Sequence, residues 1–275
     1  MLTEPRSGRL AAWGNALFAG LVSPDEAAER IVAGDAVHRV ALPDEEGAPV
    51  GLTLALGRLR SLGAVGLRVA LPVPGHPLGL SGPPQFNARA VAAEEAVLVH
   101  GAALGLVPAV HEAGPQGADP EDVHTEVVWE CLPVREAPPA DVPSLAEAER
   151  ELAEALREAT EVLTRLDVAG SGPVADAALE AYRARMEAGR QLLAPGYPPR
   201  AVRVLELAQR VGALVAIAYG GGGDGREHGG ALSASAIAAR AEALRPVERT
   251  ARRAQVAAYN AYAEELERRR EGGRP

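Results

Sequence analysis

The stretch Ala137-Pro138-Pro139-Ala140-Asp141-Val142-Pro143 divides the chain into two kinds of sequence. Before it, five of the six histidines accompany short Val- and Leu-rich runs cut by Gly and Pro. After it, Arg, Glu and Ala dominate and apolar residues recur at helical spacing. The reading is an α+β protein: a mostly antiparallel sheet with covering helices over 1–136, then a helical bundle over 144–270. The junction at 137–143 is Pro-rich, which favours a stiff spacer.

Working back from the junction, Val65, Leu67, Val69, Leu71 and Val73 alternate with Gly66, Arg68, Ala70 and Pro72, which predicts a strand with one buried face. Residues 96–100, 104–110 and 123–132 read as further strands, the last with Val123, Val127, Trp129 and Cys131 on one face and Glu126 and Glu130 on the other. That contrast predicts a sheet solvated on one side. Leu10, Trp13, Leu17 and Leu21 form the stripe of a first helix. Ser23-Pro24-Asp25-Glu26 is a capping box that starts a second, stopped at Gly34 and followed by a strand at 37–42. Leu52, Leu56, Leu59 and Leu62 mark a third helix, and Gln85 to Ala93 a fourth.

Beyond the junction, Ser144-Leu145-Ala146-Glu147 is another capping box, opening an amphipathic helix. A second helix runs to about Leu193, a mostly apolar third covers about 200–219, and a fourth ends near Leu244. Pro246 is expected to break or kink the chain before the last helix.

Composition closes several functional classes. Residues 1–140 hold nine arginines against seventeen Asp and Glu, and every one of the 28 basic residues is arginine. An acidic chain lacks the global basic footprint of nucleic-acid binding, and without lysine there is no Schiff base and no P-loop lysine. The single cysteine excludes an intrachain disulfide. The N-terminus lacks a signal-peptide pattern, and the longest apolar run, Val211 to Tyr219, is short of the ~20 residues of a membrane span. A cytoplasmic protein with no membrane contact is expected.

Two regions could carry chemistry. The loop from Pro72 to Pro84 is long, stiffened by prolines and without repetitive structure, and it gathers a candidate ligand set of Arg68, His76, Ser81, Asn87 and Arg89. The bland alternative is a rigid crossover. His100, His111, Glu112 and His124 lie near the ends of neighbouring predicted strands, where three imidazoles and a carboxylate could bind a divalent metal. Solvated strand-end histidines are the alternative. Gly220, Gly222 and Gly225 match a dinucleotide-binding pattern without the βαβ context it needs, and read as an interhelical loop. Cys131 reads as a buried hydrophobe. Arg245, Arg249, Arg252 and Arg253 read as a solvated face, because no aromatic platform for bases accompanies them.

The stretches Ser23 to Val40, Asp141 to Leu156 and Leu193-Ala194-Pro195-Gly196-Tyr197-Pro198-Pro199-Arg200-Ala201 resemble an uncharacterised family of actinobacterial proteins. The resemblance implies a bacterial cytoplasmic protein and carries no activity with it. From the residues themselves the expectation is a binding or assembly protein, without cofactor, meeting a second copy or a protein partner through the helical half. A small-ligand or metal-dependent enzyme, with its site between the 72–84 loop and the histidine-bearing strand ends, is the rival.

Overall fold

A computed structural model describes residues 4–43, 48–114, 123–135, 141–165, 193–220 and 234–272. Most of the junction, the helix expected to run to Leu193 and the glycine-rich stretch after Gly220 lie outside the described residues. The contacts define two compact units: one of Glu4–Val142, Leu193–Pro198 and Tyr259–Pro275, and one of Met1–Thr3, Pro143–Leu192 and Pro199–Ala258.

The first unit is built on a sheet whose strands, among the described residues, are β1 (Val37–Ala41), β2 (Val50–Gly51), β3 (Gly66–Ala70), β4 (Ala96–His100), β5 (Leu104–Ala113) and β6 (His124–Pro133). Their order is β2-β1-β6-β5-β4-β3. All neighbours pair antiparallel except β1 with β6, which are parallel, so the sheet is mixed. Its helices, among the described residues, are α1 (Arg6–Phe18), α2 (Pro24–Val32), α3 (Leu52–Ser61) and α4 (Pro84–Ala93), joined by the end of the chain's last helix from Tyr259 on.

One face of the sheet holds Val40, Leu67, Val69, Val97, Val99, Leu106, Val127 and Trp129, and packs beneath buried Leu10, Trp13, Ile31, Leu56 and Leu59 from α1 to α3. Gly14 brings α1 down onto this face, because a Cβ there would overlap Leu67. The opposite face was expected to be solvated. Glu126 and Glu130 do lie there half-exposed, but Ala70, Leu80, Phe86, Ala90, Ala96 and Val107 form a second core on it, edged by Leu98 and Leu132. An apolar patch on β3 to β5 needs a cover, and α4 supplies it. For the same reason β3 is buried on both faces, not one.

The start of α2 follows its sequence signal: Ser23 Oγ accepts from the Glu26 N–H at 3.2 Å, with Pro24 opening the helix. Three helix C-termini differ from expectation: α3 closes at Ser61, which leaves Leu62 beyond it, 47% exposed. The first helix closes at Phe18, so Leu21 falls beyond it and is 48% exposed. The second closes at Val32, where Ala33 takes a positive φ one residue before Gly34.

The other unit contains α5 (Leu145–Arg165), α6 (Pro199–Gly220) and α7 (Ala234–Gly272) as far as Ala258. The Ser144 box forms in both directions: Glu147 N–H donates to Ser144 Oγ at 3.3 Å, and Ser144 N–H to Glu147 Oε2 at 2.9 Å. Ala148 and Leu152 of α5 and Ala201, Val204, Leu205, Ala208 and Val211 of α6 are buried, and Arg200 bonds Glu149 at 2.5 and 2.8 Å. The expected break at Pro246 does not end the helix. The missing N–H removes one hydrogen bond, and α7 runs through it from Ala234 to Gly272.

Candidate functional site

Beyond β3 the chain turns back on itself. Val73 and His76 exchange backbone hydrogen bonds of 3.0 and 2.9 Å around Pro74 and Gly75, and Leu71 N–H donates to Leu78 C=O at 3.2 Å. Pro followed by a positive-φ Gly suits the two central positions of a type II turn. Leu78 and Leu80 are buried. Gly79 has φ +96°, and a Cβ on it would come within about 3.0 Å of Ala70, so glycine is required. The loop expected to lack structure is therefore a turn anchored by two leucines.

Its candidate residues take separate roles. Ser81 Oγ donates to the Arg135 carbonyl at 3.0 Å, Arg135 N–H to the Gly82 carbonyl at 3.3 Å, and Gly82 N–H to Asn87 Oδ1 at 3.0 Å. Ser81 and Asn87 thus fasten the loop. Arg89 pairs with Glu130 across to β6, and Arg68 with Glu267 of α7. His76 is different: its Nε2 meets Asp141 Oδ2 at 2.5 Å, and its Nδ1 has no protein partner among the described residues. A carboxylate on one ring nitrogen fixes the ring, and in the neutral imidazole the other nitrogen is then an acceptor.

The histidine and glutamate quartet is dispersed. His100 stands at the end of β4, level with the start of β5, and lies 3.5 Å from Glu267. His111 is seven residues farther along β5, about 23 Å at strand rise. His111 and His124 share a sheet face, opposite Glu126 and Ala113 respectively, while alternation turns Glu112 to the other face. Among the described residues no group of three His, Cys, Asp or Glu side chains could hold a metal ion. Sequence adjacency misled here because the strand separates neighbours. Instead Glu267 brings together Arg68 and His100, which the sequence placed in different candidate sets. Cys131 is buried, as its pattern suggested.

A polar centre that sequence reasoning missed lies at the entry to β1. Asp35 accepts bonds from Arg6 at 2.7 and 3.0 Å, from Arg9 at 2.8 Å and from His38 Nε2 at 2.9 Å. The Trp129 indole N–H donates to His38 Nδ1 at 3.3 Å, so the ring carries its proton on Nε2. Burial pushes the Asp35 carboxyl up, but the bonds from His38 and Arg6 and the charges of Arg6 and Arg9 outweigh it and hold the group well below the usual carboxylate range. The i, i+3 spacing of Arg6 with Arg9 and of Asp35 with His38 was visible in the sequence, but nothing there linked the two pairs. Both His38 ring nitrogens are engaged, which makes this centre a structural clasp.

The fold and these clusters define an α+β protein. Uncharacterised proteins of Mycobacterium tuberculosis (strain ATCC 25618 / H37Rv) and Mycobacterium leprae (strain TN) are 32% and 29% identical to the chain, each alignment covering 92% of it and 95% of the relative. A protein of Mycobacterium avium is 32% identical over 77% of the chain and 78% of its own length. Residues 7–144 match the N-terminal domain of the Rv1486c-like proteins and residues 146–256 their C-terminal domain; the chain belongs to this family. No solved structure matches it. Among the described residues no helix is long and apolar enough to cross a membrane.

Proposed function

We propose that the protein works by binding and assembly in the bacterial cytoplasm, with the 72–84 loop as its ligand-contacting surface and the helical half as the contact with a second copy or a protein partner. The His76–Asp141 pair carries this reading. An imidazole held by a carboxylate, on a loop locked by buried Leu78 and Leu80, is ordered before any ligand arrives, which lowers the cost of binding. In the neutral ring with Nε2–H given to Asp141, Nδ1 accepts a hydrogen bond, which suits a ligand that donates one: an amide, a hydroxyl or an ammonium group. The acid excess of residues 1–140 favours a neutral or basic ligand over an anionic one.

The same pair supports the second reading, a small-ligand or metal-dependent enzyme, because a carboxylate-held imidazole is also a general base. Native mass spectrometry of untagged protein separates the two. Binding and assembly predict a multimer or a co-purified organic ligand, with ligand retention lost in His76→Ala. A stoichiometric metal, or a monomer that retains nothing, overturns the first reading.

A further inference from the structure

Among the described residues strand β3 ends the sheet, and its outer side presents backbone groups that no described strand pairs. Leu67 and Val69 are alternate residues, and their N–H and C=O groups point to one side. Asn15 of α1 meets the first: its Oδ1 accepts from Leu67 N–H at 2.7 Å and its Nδ2 donates to Leu67 C=O at 2.9 Å. Asn260 of α7 meets the second in the same way, at 2.7 and 3.1 Å from Val69. Both asparagines are almost fully buried. A carboxamide offers one acceptor and one donor side by side, as a residue of a neighbouring strand does.

We propose that Asn15 and Asn260 together stand in for a missing edge strand, and that Tyr259–Gly272 is a strap that keeps the β3 edge from pairing with the β3 edge of a second copy. Further contacts hold the strap in place. Glu267 pairs with Arg68, Tyr197 donates its hydroxyl to the Tyr259 carbonyl at 2.7 Å, Tyr259 packs where Gly8 leaves room, and Ala263 lies over Gly66. An open edge is a template for another strand, and another copy of the chain always supplies one with the same exposed pattern.

Native-state hydrogen exchange on the full chain tests the proposal. In the unsubstituted protein the Leu67 and Val69 amides are expected to be protected as interior strand amides are, although they face outward. Asn260→Ala should speed exchange at Val69 by about tenfold or more and spare Leu67, and Asn15→Ala should do the reverse. Asn260→Asp adds a readout that simple loss of packing would not give. When ionised, its carboxylate opposes the Val69 carbonyl; burial moves its titration above that of a free aspartate, and once protonated it offers both a donor and an acceptor again. Measured against the unsubstituted chain at each pH, Val69 protection should fall at pH 7 and return in acid. Light scattering should show Asn260→Ala forming a larger species than the parent as concentration rises. Fast exchange at Leu67 and Val69 in the parent chain overturns the proposal without any variant. Unchanged Val69 protection in Asn260→Ala, or no larger species, also overturns it.

Discussion

Asp35 is the point on which Arg6, Arg9 and His38 converge. Because its folded carboxyl titrates below the unfolded value, the stability it contributes is present above about pH 4 and is lost as pH falls toward the folded value. Asp35→Asn should therefore cost about 2 kcal/mol at pH 7, by leaving two arginines without their counter-charge, and should flatten the acid side of the stability curve. Urea unfolding across pH 3 to 7 checks both. Gln255 makes the opposite case. It is 1% exposed and neither amide atom has a partner among the described residues, so Gln255→Leu should raise stability by about 1 kcal/mol in the same assay. Neither role was legible in the sequence. An aspartate after a helix and a glutamine in one look ordinary until distant partners, or their lack, are seen. Glu112 is a different case: beside His111 on a strand it had to face away, and alternation alone could have removed it from the metal set.

Element by element, the local signals were read well where partners lie within a turn. The Ser23 cap, the Ser144 box and the Leu52, Leu56 and Leu59 stripe formed as their spacing dictates. The 72–84 loop was only half legible. Pro74-Gly75 could have announced the turn, but the anchoring role of Leu78 and Leu80 depends on the core at Ala70 and Phe86. That anchoring makes Gly79→Ala costly: a positive φ and a Cβ against Ala70 should together lower stability by about 2 kcal/mol. A thermal melt measures it, and ligand retention should fall with it if the loop is the binding surface. The parallel pairing of β1 with β6 was beyond reading, since each strand's pattern suits either direction.

At the scale of the molecule, sequence order and compact units disagree. The Pro-rich junction reads as a clean division, yet Leu193–Pro198 and Tyr259–Pro275 group with the sheet. The apolar stripe of Tyr259 and Tyr262 looks like that of any packed helix, so its destination could not be read from its period. The match to the family's C-terminal domain ends at residue 256, just short of that change of allegiance. A fragment of residues 4–144 should consequently aggregate at concentrations where the full chain stays dispersed, because it keeps Asn15 but not Asn260; comparative light scattering would show it.

The distance between Val69 and Asn260 along the chain also sets a clock. The two residues are 191 positions apart. At about 5–20 residues per second, a ribosome takes roughly 10–40 seconds to travel from one to the other. Once β4 has paired with β3, half of the outer edge of β3 stays uncovered until Asn260 is made, on a polysome where sister chains grow alongside. The segment around Asn260 is thus the one that ends the exposure of this edge.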